Sequence, residues 1–143
     1  LQAEQTATIR HSVRAMAALN QTDIPWCTII VRNCFGVAGA AHQPAGRLSL
    51  RYAWLSARWG SLPLEGGIEA AYRADLEASP DPQAKLAEIE ERLAKLRTPF
   101  RTAETFWVED IIDPRETRRL LCDFAELAYR TLTPEAPKVS MRP

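Results

Sequence analysis

Apolar positions in this chain follow two periods, and the switching between them predicts an α/β protein. Over residues 4–20 the period is helical: Ile9, Val13, Met16 and Ala17 share one face, with Arg10, Ser12 and Arg14 elsewhere. Thr22-Asp23-Ile24-Pro25 ends that helix, because proline cannot extend it and restrains the residue before it. Residues 26–31, WCTIIV, are β-branched and nearly all apolar, which predicts a strand buried on both faces. Residues 33–41 read as a strand, a tight glycine turn and a helix start. After a turn at 43–46, residues 47–55 alternate in part and put Leu48, Leu50 and Tyr52 on one strand face.

The second half is mainly helical. A loop over 59–67 leads through Gly66 and Gly67 into a helix at about 68–78, which Ser79-Pro80-Asp81-Pro82 terminates. Residues 83–96 carry the clearest amphipathic stripe: Leu86, Ile89, Leu93 and Leu96. Glu88–Arg92 and Glu91–Lys95 are i,i+4 pairs in the favourable order. A short helix at 98–105 and a short strand at 107–112 follow. Asp113-Pro114-Arg115-Glu116 supplies an N-cap, a proline at N1 and a glutamate at N3. The helix it opens carries Leu120, Leu121, Phe124, Leu127 and Ala128 on one side. Residues 133–143 contain three prolines and few apolar groups, so they are expected to form a flexible tail after a folded 1–132.

Composition narrows the function class. With 143 residues the chain is one domain, and 18 basic against 18 acidic residues disfavour a nucleic-acid binder or a polybasic membrane anchor. Apolar runs are too short to span a membrane. Cys27, Cys34 and Cys122 have neither disulfide-framework nor zinc-site spacing and fit a reducing compartment. The chain opens on Leu1 without a signal-peptide pattern, so it is read either as processed or as a piece of something longer.

Side chains that could do chemistry are sparse. His11 and His42 are distant from one another and make no metal site, so no metal is expected. Cys34 precedes the glycine turn and could be a nucleophile at a helix start, although a small buried residue is the simpler reading. Glu65 and Glu69 could act as acid and base, but solvated helix-start carboxylates explain them as well. The stretch Phe35-Gly36-Val37-Ala38-Gly39 stands out: a sharp turn at a helix start offers backbone N–H groups that can hold an oxyanion. On local sequence alone, glycine permitting close packing is the simpler reading.

Four stretches taken together resemble the β-type carboxyltransferase subunit of biotin-dependent acyl-CoA carboxylases, the propionyl-, acetyl- and methylcrotonyl-CoA carboxylase family. They are Ile9-Arg10-His11 with its helix; Ile24-Pro25 through Gly39; Ala53-Trp54-Leu55-Ser56-Ala57-Arg58 with Gly66; and Thr102-Ala103-Glu104 through the IIDPRETR run ending at Arg118. Their order and spacing agree with the family over residues 7–132. The resemblance implies a crotonase-like (ClpP/crotonase) fold of ββα units, here the later part of a C-terminal half-domain with flanking helices. It implies transfer of a carboxyl group from carboxybiotin to the α-carbon of an acyl-CoA. It places a biotin-side oxyanion hole at the amides of Val37 and Ala38, shaped by Gly36, with Phe35, Gly39 and Ala40 lining the substrate. It implies biotin borne on a carrier domain, acyl-CoA, a biotin carboxylase subunit and a homo-oligomer with active sites between subunits. It also implies a cytoplasmic or mitochondrial-matrix location. Val37, Ala40, Leu62-Pro63 and Phe106 depart from the family pattern, and Phe106 replaces a glycine, so a different turn is expected there. A non-catalytic oligomerisation or partner-docking module and a biotin-dependent acyl-CoA decarboxylase subunit are the alternatives.

Overall fold

The computed structural model describes residues 5–41, 46–61 and 67–132, with the backbone only at 37, 38 and 40. In chain order the elements are α1 (Thr8–Gln21), β1 (Trp26–Ile30), β2 (Asn33–Phe35), α2 (Gly36–Ala41), β3 (Ser49–Trp54) and β4 (Arg58–Gly60). They continue with α3 (Gly67–Ala71), α4 (Arg73–Glu77), α5 (Pro82–Leu96), α6 (Pro99–Glu104) and β5 (Asp110–Ile112). A 3₁₀ turn, Pro114–Glu116, runs into α7 (Thr117–Thr131). His42, the turn residues 43–45, Leu62, Pro63, Glu65, Gly66 and the 133–143 tail lie outside the described residues.

The strands form two parallel sheets, one ordered β1-β3-β5 and the other β2-β4. Trp26 pairs with Ser49 and Ile30 with Ala53, while Ala53 pairs with Ile111. Asn33, Cys34 and Phe35 pair with Arg58, Trp59 and Gly60. Between the sheets lies a core of Ile30, Ala53, Ala57 and Val108, against which Cys34, Trp59 and Ala103 pack. Burying each such aliphatic side chain contributes roughly 1.5–3 kcal/mol for the larger ones. A second packing centre joins α3 to α5 through Ile68 and Ile89, both almost fully buried.

Several expectations need correcting. β1 is not buried on both faces: it stands at the sheet edge among the described residues, and only Ile30 in it is buried. The alternation in β3 is real, but Leu50 and Tyr52 occupy its half-buried face, and the buried positions are Arg51 and Ala53. Residues 59 and 60, read as the start of a loop, belong with Arg58 to β4, because β2 offers them a parallel partner. The single helix expected at 68–78 is two short helices meeting at Tyr72. The strand expected at 107–112 begins only at Asp110.

Local chemistry sets the helix ends. The Asp81 carboxylate accepts from the backbone N–H of Gln83 and Ala84 at 3.1 and 3.0 Å, which caps α5 at Pro82. Within α5, Lys95 pairs with Glu91 as expected, whereas Glu88 turns back to Lys85. Arg92 instead lies over the Tyr72 ring at 5.7 Å. Leu96, the last residue of the expected stripe, is exposed. The apolar faces of α1 and α7 also stay open in this chain, with Ile9, Val13, Leu121 and Leu127 exposed.

At the end of α6, Phe106 stands in a turn of a kind that usually takes glycine. Phe106 takes φ 57°, the left-handed conformation that suits glycine. Phe106 N–H donates to Ala103 C=O at 2.9 Å and Trp107 N–H to Thr102 C=O at 3.1 Å. Those two bonds are a Schellman closure, and the phenylalanine carries the strain of the left-handed position.

Candidate functional site

The glycine turn sits where β2 hands over to α2. Gly36 has φ 64°, a conformation that glycine adopts freely and other residues resist. Among the described residues, a Cβ built on Gly36 would meet only the Ser61 carbonyl oxygen, at 3.7 Å, and the residue is exposed. Gly39 lies on the inner side: a Cβ there would stand 3.2 Å from the Cys34 sulfur. Gly36 therefore serves the turn and Gly39 serves close packing. The backbone of Val37 and Ala38 forms the first turn of α2, whose N–H groups have no acceptor within the helix itself.

Two aromatic rings and two arginines stand behind this turn. Phe35 is half-buried, and the Arg97 guanidinium lies 5.3 Å from its ring centre. Gly60 gives that ring room, since a Cβ on Gly60 would be 3.2 Å from Phe35 Cδ1. Trp59 N–H donates to the Arg97 carbonyl at 3.1 Å, fixing β4 to the end of α5. The Arg51 guanidinium lies 4.6 Å from the Trp59 ring centre, and Trp59 also meets Trp107, with ring centres 6.2 Å apart.

Of the side chains considered as catalysts, His42 and Glu65 lie outside the described residues, and His11 and Glu69 stand on other elements. His11 is exposed on α1, and Glu69 is exposed in the first turn of α3. Cys34 does reach the turn, but burial pushes its thiol up, and the opposing pull of Arg51 is weaker. A thiol held protonated is a poor nucleophile. Cys27 is raised as well, by burial and then by the Glu109 carboxylate. Among the described residues, Cys34 is the one candidate side chain at the turn, beside the main-chain N–H groups that open α2. Arg51, Arg97 and Trp59 went unnoticed in the sequence; the usable signal was the alternation that puts Arg51 and the core residue Ala53 on one face of β3.

Residues 1–141 match the model of the carboxyl transferase domain. The chain belongs to the carboxyl transferase family. It is 32% identical over 130 residues to the carboxyltransferase subunit of propionyl-CoA carboxylase from Haloferax mediterranei, covering 87% of this chain and 25% of that protein. It is also 32% identical over 130 residues to the methylmalonyl-CoA carboxyltransferase 12S subunit of Propionibacterium freudenreichii subsp. shermanii, covering 89% of this chain and 25% of that one. Among solved structures, the transcarboxylase 12S hexamer with methylmalonyl-coenzyme A and methylmalonic acid bound superposes with a TM-score of 0.77 at 28% identity. That match covers 99% of this chain and 28% of the 12S chain. The carboxyl transferase chain described here thus spans about a quarter of the length of the relatives it matches. Its parallel sheets and helices form part of a crotonase-like α/β domain, the fold of those neighbours.

Proposed function

We propose that this chain is the biotin-accepting part of an acyl-CoA carboxyltransferase, and that the Gly36 turn is its working surface. In this reading the amides of Val37 and Ala38 donate to an oxyanion, Gly36 sets their direction, and Phe35, Gly39 and Ala40 border the substrate. The single observation that carries it is the left-handed, exposed Gly36 at the junction of the half-buried strand β2 and a helix start, in a chain of the carboxyl transferase family. Such a surface fits a flat, neutral ring with a polar oxygen: it offers donors and open space, and it needs no charged side chain. Biotin, when bound on its carrier domain, supplies the carboxyl group. The chain's own contribution is to hold the developing negative charge and to position the ring.

The acyl-CoA partner belongs to the same proposal. Relatives are about four times longer, so the acyl-CoA-binding half is assigned to protein outside this chain. The open apolar faces of α1 and α7 favour docking against such a half or a second subunit. The direction of carboxyl flow, carboxylation or decarboxylation, follows from coupled subunits. A carboxyl-transfer assay tests the reading. The chain is combined with an acyl-CoA-binding half and a biotinylated carrier domain, and carboxylation of the biotin from methylmalonyl-CoA or malonyl-CoA is followed. Carboxylated carrier is expected; association without any transfer would instead support a non-catalytic docking module.

A further inference from the structure

Arg51 is the most buried charged residue in the described chain, at 1% exposure. Among the described residues, no acceptor lies within hydrogen-bonding distance of its Nε, Nη1 or Nη2. The Glu109 carboxylate is close but engaged by the main chain: its Oε2 accepts from the Arg51 backbone N–H at 2.6 Å. Glu109 N–H in turn donates to the Arg51 carbonyl at 2.8 Å. An arginine keeps its proton inside a protein, so among the described residues this charge stays buried against the Trp59 face, with Glu109 acting on it through space. For packing alone an apolar side chain of similar volume would serve better, because a buried charge without a partner is destabilising.

The position of the charge suggests what it does instead. Arg51 lies over Trp59, Trp59 is in register with Cys34, and Cys34 packs against Gly39 in α2. Arg97, also buried, lies over Phe35, the residue immediately before Gly36. Both residues that lead into the turn therefore have a buried cation behind them, and neither guanidinium forms an ion pair among the described residues. Fixed positive charge in a dry interior acts on nearby charge far more strongly than in water.

We propose that Arg51 is a positioning residue for the Gly36 turn: a fixed, buried cation behind Trp59 and Cys34 that favours negative charge over the start of α2. Only the final step, that this negative charge is the oxyanion of carboxyl transfer, rests on the function proposed above. The placement of the charge stands separately and can be read from Cys34, which reports the local field without any turnover.

The test uses the full chain with Cys27→Ser and Cys122→Ser, leaving Cys34 as the single thiol. The pH dependence of its alkylation by iodoacetamide is followed in this parent and in Arg51→Met, Arg51→Gln and Arg51→Lys. Both neutral variants are expected to move the thiol titration to higher pH, and the lysine variant to stay near the parent. Thermal melting of the methionine variant is expected at or above that of the parent, which a purely structural arginine would not allow. In the carboxyl-transfer assay the neutral variants are expected to lose about tenfold in kcat, with KM for the biotinylated carrier changed less than about twofold. An unchanged Cys34 titration in folded neutral variants overturns the proposal, and so does failure of both neutral variants to fold. A parent that transfers no carboxyl group counts against the proposed function, while the thiol titration still decides the role of Arg51.

Discussion

The Gly36 turn and the Asp113 cap are both tight turns at helix starts, yet they are built in opposite ways. The Asp113 carboxylate accepts from Arg115 N–H at 2.8 Å and from the Arg115 side chain at 3.0 and 2.6 Å. Farther along, Arg119 pairs with Glu116 and Asp123, so this whole polar network spans a few consecutive residues and is exposed. The Gly36 turn instead relies on residues distant in sequence: Arg51, Trp59, Gly60 and Arg97 converge on Cys34 and Phe35. A local, solvated turn is cheap and tolerant, since each exposed pair contributes little. A turn supported from the interior is costly to assemble and holds its main-chain donors still. That rigidity is what the proposed main-chain oxyanion site requires.

The contrast can be broken most severely at the donors. Replacing Gly36 and Ala38 together by proline removes the φ 64° hinge and an amide donor. Carboxyl transfer is expected to fall by about 10²–10³-fold for the lost donor, with the far-UV spectrum of the chain retained. Normal turnover in the double variant would separate the turn from the chemistry.

A smaller effect is expected from the frame behind the turn. Gly60→Ala places a methyl group 3.2 Å from the Phe35 ring and 3.4 Å from Arg97 Nε, so the ring and the guanidinium must shift. Overpacking of this kind costs about 1–3 kcal/mol, measurable by urea unfolding. An unchanged midpoint would show that the frame is looser than the contacts describe.

Phe106 offers a gain rather than a loss. Its ring is 93% exposed and its φ is 57°, so Phe106→Gly removes strain and little packing. Stabilisation of about 1 kcal/mol is expected in the same unfolding measurement. A loss of stability would mean that the ring contributes more than its exposure indicates.

The mildest perturbation falls on the local turn. Hydrogen bonds from Arg115 hold the Asp113 carboxyl down at about 2, below its ordinary 3.8. The cap's contribution is therefore present above pH 3.8 and lost as the pH falls toward 2. Asp113→Ala is expected to fray the start of α7 at neutral pH and to remove that acid-dependent step, as read by amide hydrogen exchange over 114–120. Carboxyl transfer should be far less affected than by any change at Gly36.

The same contrast explains what could be read from the sequence. Asp113-Pro114-Arg115-Glu116 was legible because its cap and its proline are sequence neighbours. Gly36 was legible because an isolated glycine after a β-branched run marks a turn, and the resemblance then gave the turn a purpose. The frame was not legible. β4 is three residues long and is a strand only because β2 lies beside it. The edge position of β1 depends on sheet order, which its uniform apolar run does not encode. The burial of Arg51 was not legible, because periodicity shows which residues share a face but not which face is buried. Phe106 violates the glycine rule at its own position, and its turn survives through two backbone hydrogen bonds.

Whether the Gly36 turn receives biotin is tested most directly by titrating the chain with a carrier domain in its biotinylated and unbiotinylated forms. Isothermal calorimetry is expected to show tighter binding of the biotinylated form, with that difference lost when Gly36 is replaced by proline. Equal binding of the two forms, or a biotin-dependent difference that survives Gly36→Pro, would contradict the account.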